Sequence, residues 1–206
     1  MKFEANHIYH IYNRGNNKQT IFFNEQNYLF FLTKIKKELS PLCSILAYCL
    51  MPNHFHLLIY VNDEGCKYTR QTTQSGQTSN GQSIQILARK VGTLLSSYTR
   101  AINKQNNRTG SLFQQKTKAK SLLNNDHFYP ITCFHYIHQN PVKSKLVTKM
   151  EDWEYSSFRD YVGIRKGKLP NIKLANEVLG LTQNKEELYK ESYQVVLDKP
   201  IQYLTV

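Results

Sequence analysis

Two adjacent β-prone segments occupy the middle of this chain. Residues 44–51 and 54–61 are rich in β-branched, aromatic and aliphatic side chains, and only Pro52 and Asn53 separate them. Because Pro and Asn suit a tight turn, the two segments predict a β-hairpin. The elements on either side of this hairpin determine the class of fold.

Amphipathic helices are predicted before and after the hairpin. Asn24 is a candidate cap for the first helix, whose apolar residues recur at intervals of three and four: Tyr28, Phe31, Leu32, Ile35 and Leu39. Ser83 is a candidate cap for the second, which ends near Asn106 and has the most regular repeat in the chain: Ile84, Leu87, Val91, Leu94, Leu95, Tyr98 and Ile102. Such spacing places apolar side chains on one helical face.

A third helix is predicted near the end of the core. It can begin at Asp126, tolerates Pro130 in its first turn, and stops around Asn140, because Pro141 disfavours helical geometry in the residue before it. An aromatic cluster follows from about Trp153, and a short helix is predicted over residues 184–195.

Two outer strands complete the predicted order. Residues 7–12 are β-branched, aromatic or His, and residues 112–123 alternate, with Lys116, Lys118 and Lys120 on one side. The order is therefore strand, helix, strand, strand, helix, strand, helix. It predicts an α+β fold with a ferredoxin-like βαββαβ core and one added helix.

Length and charge limit the organisation and the partners. At 206 residues, one core with peripheral additions is expected. Residues 65–82 are mostly Thr, Gln, Ser, Gly and Asn, and are interpreted as a flexible polar insertion without secondary structure. Lys and Arg total 27 against 15 Asp and Glu, a net charge of +12, which favours a polyanionic partner such as nucleic acid.

Cysteine usage and hydropathy bear on the compartment. Cys43, Cys49, Cys66 and Cys133 show no C-x-x-C spacing, which argues against a structural zinc module and against a secreted disulfide framework. No segment approaches the roughly 18 apolar residues of a membrane span. The chain is therefore expected to be cytoplasmic, without a membrane partner.

His54 and His56 are candidate metal ligands. They are two apart on a predicted strand, so both imidazoles lie on one face while Phe55 and Leu57 point the other way. Two adjacent imidazoles suit a metal site. Taken alone, such a pair is more often two surface histidines on a half-exposed strand.

Tyr136 and Asn140 are candidate partners of those histidines. They are four apart on the third predicted helix and therefore share a face. A hydroxyl and an amide oxygen can then reach the same site. Taken alone, such a Tyr is more often a packing residue, and an Asn before Pro more often a cap.

Three segments together resemble a known family, the single-tyrosine transposases with an HUH motif, and among them the proteins associated with repetitive extragenic palindromes. The segments are residues 51–59, 136–142 and 153–158, with weaker similarity at 12–15 and 112–114. The similarity runs in order from about residue 7 to residue 161. It implies a catalytic domain over residues 1–162 and a C-terminal extension of unknown role over 163–206.

The resemblance implies an enzyme, a single-stranded DNA endonuclease and strand transferase. In this interpretation His54, His56 and Asn140 bind Mg²⁺ or Mn²⁺, and Tyr136, on the added helix, attacks the DNA backbone to form a 5′-phosphotyrosine. The expected substrate is a single strand with a hairpin. A monomer and a homodimer are both left open.

Further residues are candidates for contacts around that site. Arg14, Lys116, Lys118 and Lys120 are predicted to bind DNA, although Lys116 and Thr117 stand where the family has an Arg and an aromatic residue. His7 and His10 are candidates for groups behind the metal ligands. His135 and His138 are interpreted as phosphate contacts or surface residues.

Two other functions are weighed against transposition. A non-catalytic nucleic-acid-binding protein with the same fold has no need to keep His54, His56, Tyr136 and Asn140 together. A nucleotide hydrolase with clustered histidines is disfavoured, because Leu58 stands where a third histidine is required.

Overall fold

The computed structural model describes residues 1–72, 78–122 and 128–194. Four of its strands form an antiparallel sheet in the order β2-β3-β1-β6, and two form a separate hairpin. In chain order the strands are β1 (Ile8–Arg14), β2 (Cys43–Met51), β3 (His54–Val61), β4 (Tyr68–Thr72), β5 (Thr78–Gln85) and β6 (Lys118–Ser121).

Helices cover both faces of the four-stranded sheet. They are α1 (Glu25–Glu38), α2 (Asp63–Cys66), α3 (Ile86–Gln105), α4 (Phe128–Lys143), α5 (Phe158–Tyr161), α6 (Ile172–Leu179) and α7 (Lys185–Gln194). The buried residues of α1 and α3 share one apolar cluster with the sheet, and those of α4 share a second. The strand order and the two core helices on one face confirm the predicted α+β, ferredoxin-like core with an added helix, α4.

Successive side chains of β3 point alternately to the two faces of the sheet, and so to the two apolar clusters. Phe55, Leu57 and Ile59 are buried in the cluster that contains α1 and α3. Leu58 belongs to the cluster that contains α4, and His56 on the same face is completely buried. The hairpin of β2 and β3 around Pro52 and Asn53 is confirmed, and the face that carries His54 and His56 is covered by α4.

The two predicted helix caps differ in outcome. Asn24 caps α1 as predicted, its side chain accepting from the Asn27 backbone N–H at 3.1 Å. The Ser83 cap is wrong, because Ser83 lies inside β5 and α3 begins only at Ile86. Gln85 explains the shift: its side chain accepts from the Phe3 N–H at 2.6 Å and donates to the Phe3 carbonyl at 2.8 Å. These bonds hold residue 85 in an extended conformation.

The interpretation of residues 65–82 as a segment without secondary structure is wrong where the structure describes them. They include the end of α2, all of β4, and most of β5, which pairs antiparallel with β4. Thr-rich polar sequence supports a two-stranded ladder because its stability comes from backbone hydrogen bonds as well as apolar burial. Residues 73–77 lie outside the described residues.

The strand predicted over residues 112–123 is shorter in the structure. Only Lys118–Ser121 forms β6, and Phe113 makes an isolated bridge to Gly15. Leu112 and Phe113 are buried in the α1 and α3 cluster, so the alternation there reflects burial of single residues in a loop. Residue 123 lies outside the described residues.

Helix α4 continues beyond its predicted end. Asn140 was expected to stop the helix, but α4 runs through Pro141 to Lys143. Pro141 removes one N–H from the last turn, and the turn is closed by Ser144, whose N–H donates to the Asn140 carbonyl at 2.9 Å. The predicted start at Asp126 lies outside the described residues.

The C-terminal residues pack on the core. Helix α7 matches the predicted final helix up to Gln194, with residue 195 outside the described residues, whereas α6 was not predicted. Ala175, Leu179 and Leu188 are buried in the α4 cluster. In the described part of the chain, no helix has the length and apolarity needed to cross a membrane.

The assignment of His135 and His138 to the surface or to phosphate contacts is wrong. His138 is completely buried and lies 2.7 Å from Ser157 Oγ, and His135 is 2% exposed and lies 3.2 Å from Ser192 Oγ. Burial lowers the pKa of His138 to about 3 and that of His135 to about 4. Both are uncharged packing residues, His138 beside Ser157 and His135 beside Ser192 of α7.

These pKa values predict acid sensitivity. The unfolded chain protonates His138 near pH 6.5 and the folded chain only near pH 3, so the free energy of unfolding decreases as the pH falls below 6.5. One such histidine removes about 2 kcal/mol between pH 7 and pH 5. Urea unfolding of His138→Gln, which keeps a hydrogen-bonding group but does not titrate, should show a smaller loss than the unmodified protein. Identical pH dependence of the two proteins would contradict this prediction.

Candidate active site

His54 and His56 lie side by side on the α4 face of the sheet. Their ring centroids are 5.1 Å apart, with the ring planes at 89°. In the β1 and β3 register, Tyr12 lies opposite His56 and Arg14 opposite His54, so all four side chains project from the same face. The structure therefore places both predicted imidazoles on one covered surface.

Helix α4 brings Tyr136 and Asn140 to these imidazoles. The Tyr136 ring centroid is 5.5 Å from that of His56, with the planes at 85°. Asn140 lies close enough to act on the pKa of both His54 and Tyr136, and its Nδ2 donates to the Tyr136 carbonyl at 2.8 Å. All four side chains predicted to form the site are gathered in one place.

The ring nitrogens of the two histidines suit cation binding. His54 Nδ1 lies 2.6 Å from Asn53 Oδ1, and since a carboxamide oxygen only accepts, Nδ1 carries the proton and Nε2 has the lone pair. His56 Nε2 is buried without a hydrogen-bonding partner. This nitrogen can therefore bind a cation without giving up a hydrogen bond to the protein.

The donor set fits a divalent cation that keeps several oxygen ligands. Nowhere in residues 1–72, 78–122 or 128–194 do three or more His, Cys, Asp or Glu side chains form a metal-binding group. Here the third protein ligand would be the amide oxygen of Asn140. Water and phosphate oxygens would complete an octahedral shell, as is usual for Mg²⁺.

Both histidines are uncharged at neutral pH. Burial, and secondarily the positive charge of Arg14, lower the pKa of His54 to about 4, while the Asn140 amide, which can accept from the protonated imidazole, raises it. Burial, followed by the neighbouring His10 and His54, lowers the pKa of His56 well below its ordinary value. Neutral imidazole is the form that binds metal ions, so no proton has to be removed first.

Tyr136 is a protonated phenol at neutral pH. Burial raises its pKa to about 12, and hydrogen bonding to Asn140 acts in the opposite direction. The side chain is half-buried, and Lys143 Nζ lies 5.9 Å from its ring centroid. A nucleophilic role requires a positive group that stabilises the phenolate as the hydroxyl attacks.

Three of the four predicted DNA-binding residues border the site. Arg14 lies opposite His54 in the sheet, Lys118 opposite Tyr12, and Lys120 opposite His10. Lys118 is exposed and Lys120 half-buried. Lys116 is exposed but precedes β6, so the register does not place it on this face.

Sequence reasoning did not assign Tyr12 or Lys143 to the site. The period of two along β1 could have found Tyr12, because it lies between His10 and Arg14 on the same strand face. Lys143 is seven residues after Tyr136, two helical turns away on the same face. Of the two other candidate histidines, His10 contacts His56, whereas His7 lies 3.2 Å from Glu4 Oε2.

Comparison with known proteins gives a likeness of fold. A solved structure described as a REP-associated tyrosine transposase bound to a REP hairpin aligns with 79% of this chain and 83% of its own, at 16% sequence identity and a TM-score of 0.55. The chain has the fold of that transposase. No protein-family model matches the sequence, and no curated protein matches it.

Arg14 is predicted to control the protonation of His54. Replacing its charge with a neutral amide in Arg14→Gln should raise the pKa of His54, because a nearby positive charge disfavours the imidazolium. The rise should be partial, since burial is the larger cause. NMR titration of the metal-free protein measures it, with Arg100→Gln on the exposed surface of α3 as the matched control. An unchanged or lower His54 pKa in Arg14→Gln would be inconsistent with this electrostatic role.

Proposed function

We propose that this protein cleaves and rejoins single-stranded DNA through a covalent 5′-phosphotyrosine on Tyr136, as a transposase does. A divalent cation, Mg²⁺ or Mn²⁺, is held by His54, His56 and Asn140. The observation that carries this proposal is the meeting of Tyr136 and Asn140, from α4, with two neutral imidazoles of β3. A protein that only binds DNA has no requirement for this arrangement.

The proposed reaction is an in-line displacement at phosphorus. The Tyr136 oxygen forms a bond to the phosphorus as the bond to the 3′-oxygen breaks, and the phenol loses a proton while the departing 3′-oxygen gains one. The bound cation supplies positive charge that polarises the phosphate and stabilises the oxygens that become negative. Because the ester conserves the energy of the broken bond, the 3′-hydroxyl can later reverse the step, and no nucleotide cofactor is needed.

Asn140 has two roles in this proposal. Its Nδ2 donates to the Tyr136 carbonyl at 2.8 Å, which fixes the amide on the same helical turn as the proposed nucleophile. Its amide oxygen would be the third protein ligand of the cation, and oxygen is the ligand atom that Mg²⁺ prefers.

The substrate is a single strand of DNA that carries a hairpin. The chain has a net charge of +12, and Arg14, Lys118 and Lys120 border the site, where they can contact backbone phosphates. The solved transposase with the same fold is described as bound to a REP hairpin. Lys116 is an exposed cation near the same edge and a further candidate contact.

The origin of the site residues bears on the assembly, and the state of the cysteines bears on the compartment. Tyr136, Asn140, His54 and His56 all come from one chain, so a monomer can hold the complete site and a homodimer is not required. The four cysteines are free thiols, which agrees with a reducing cytoplasm.

Tyr136→Phe should abolish the covalent product. The substitution removes only the hydroxyl, so folding and DNA binding should be retained. The measurement is incubation with a single-stranded hairpin DNA and Mn²⁺, followed by denaturing electrophoresis to detect protein covalently joined to DNA. The unmodified protein should form this species, and the variant should form less than about one hundredth as much, since no nucleophile replaces the phenol.

Tyr129→Phe provides the matched control, because Tyr129 lies on the same helix two turns before Tyr136. It should form the covalent species at nearly the normal rate. Equal yields from Tyr136→Phe and the unmodified protein would place the nucleophile elsewhere. Tight DNA binding with no covalent product from any of the three proteins would favour the non-catalytic nucleic-acid-binding function.

His56→Ala should lose metal-dependent cleavage while keeping DNA binding. The substitution removes the buried Nε2, but leaves the basic residues at the edge of the site unchanged. Cleavage with increasing Mn²⁺ and hairpin binding without metal measure the two properties separately. His7→Ala is the control, since the His7 side chain is 31% exposed beside Glu4. Normal cleavage by His56→Ala would remove His56 from the proposed metal site.

A further inference from the structure

A second histidine lies directly behind His56. His10, on the neighbouring strand β1, is completely buried, and its Nε2 is 2.9 Å from His56 Nδ1. The two rings are nearly parallel, with centroids 5.1 Å apart and planes at 18°. Tyr12 stacks on His10 at 4.7 Å, and Tyr136 contacts it edge-on at 6.4 Å. His10 is therefore fixed in place against the inner nitrogen of a proposed ligand.

One proton is shared by the two facing nitrogens, and it can belong to either ring. If His10 Nε2 carries it, then His56 is protonated on Nε2 and cannot bind a cation there. If His56 Nδ1 carries it, then the Nε2 lone pair of His56 is available. His10 Nδ1 and His56 Nε2 are both buried without partners, so each arrangement leaves one donor and one acceptor unsatisfied. Both tautomers therefore make the same number of hydrogen bonds to the protein, and these contacts favour neither of them.

A cation at His56 Nε2 breaks this balance. It satisfies the outer lone pair and requires the Nδ1–H tautomer of His56, whose proton then needs an acceptor. His10 Nε2 is positioned to be that acceptor.

We propose that His10 is a positioning residue that accepts the Nδ1–H of His56 and thereby presents His56 Nε2 to the cation. This inference rests on the proposed function of the His54, His56 and Asn140 site. It gives a role to a histidine that is completely buried and whose Nε2 faces a proposed ligand.

Metal affinity of two His10 variants tests the proposal. His10→Phe keeps a flat ring but has no acceptor, and should bind Mn²⁺ about 10- to 100-fold more weakly. His10→Gln places a carboxamide oxygen near the position of Nε2, and should stay within about threefold of the unmodified protein because it still accepts the proton. Calorimetric titration with Mn²⁺ on the full chain without DNA gives the affinities, and circular dichroism checks that each variant is folded.

The tautomer of His56 provides a measurement without substitution. In protein labelled with ¹⁵N-histidine and saturated with Mg²⁺, His56 should be protonated on Nδ1, with its Nε2 unprotonated. Protonation of His56 on Nε2 would overturn the proposal. Because this measurement uses the unmodified sequence, it remains decisive even when His10→Phe does not fold.

The affinity results separate the two proposals. Equal Mn²⁺ affinity of His10→Phe and the unmodified protein would overturn the role of His10 and leave the metal site intact. Equal weakening in His10→Gln and His10→Phe would also overturn it, by showing that ring packing matters and acceptance does not. Absence of Mn²⁺ binding to the unmodified protein would overturn the proposed metal site, and the role of His10 with it.

Discussion

The alternation of β3 between two helical layers is the constraint on which the site depends. Phe55, Leu57 and Ile59 fill the layer beneath α1 and α3, which fixes the register of the strand, because a slip by one residue would exchange its faces. His54 and His56 are thereby held on the opposite face, under α4. The apolar core on one side of the sheet thus determines the polar chemistry on the other.

Burial has opposite consequences for the proposed metal ligands and for the proposed nucleophile. It keeps His54 and His56 uncharged, which prepares them for a cation, but it also raises the pKa of Tyr136 to about 12, which suppresses the phenolate. Under the proposed function, a cation held by His54, His56 and Asn140 would favour the phenolate of Tyr136 without charging the imidazoles. Under the proposed function, a buried tyrosine stays unreactive until cation and phosphate are both in place, which limits unwanted ester formation.

Periodicity predicted the elements whose side chains all face one core. The hairpin, α1 and α3 were predicted because their apolar spacing matches a strand or a helix, and the grouping of His54, His56, Tyr136 and Asn140 followed from the family resemblance. Long-range hydrogen bonds explain most of what was missed. Gln85 bonds to Phe3, 82 residues away, and so delays α3. His138 and His135 are buried against Ser157 and Ser192, which lie 19 and 57 residues further along the chain. Local sequence carries no record of these partners.

The continuation of α4 through Pro141 bears directly on the site. Proline disfavours helical geometry in the preceding residue, and a helix ending before Asn140 would leave that side chain without a fixed direction. Instead Asn140 lies inside the helix, and its Nδ2 bond to the Tyr136 carbonyl at 2.8 Å spans one turn. This local bond offsets the unfavourable position before proline and fixes the amide relative to the phenol. The sequence Asn-Pro therefore serves here to orient a side chain within the last turn, in addition to its usual association with helix termination.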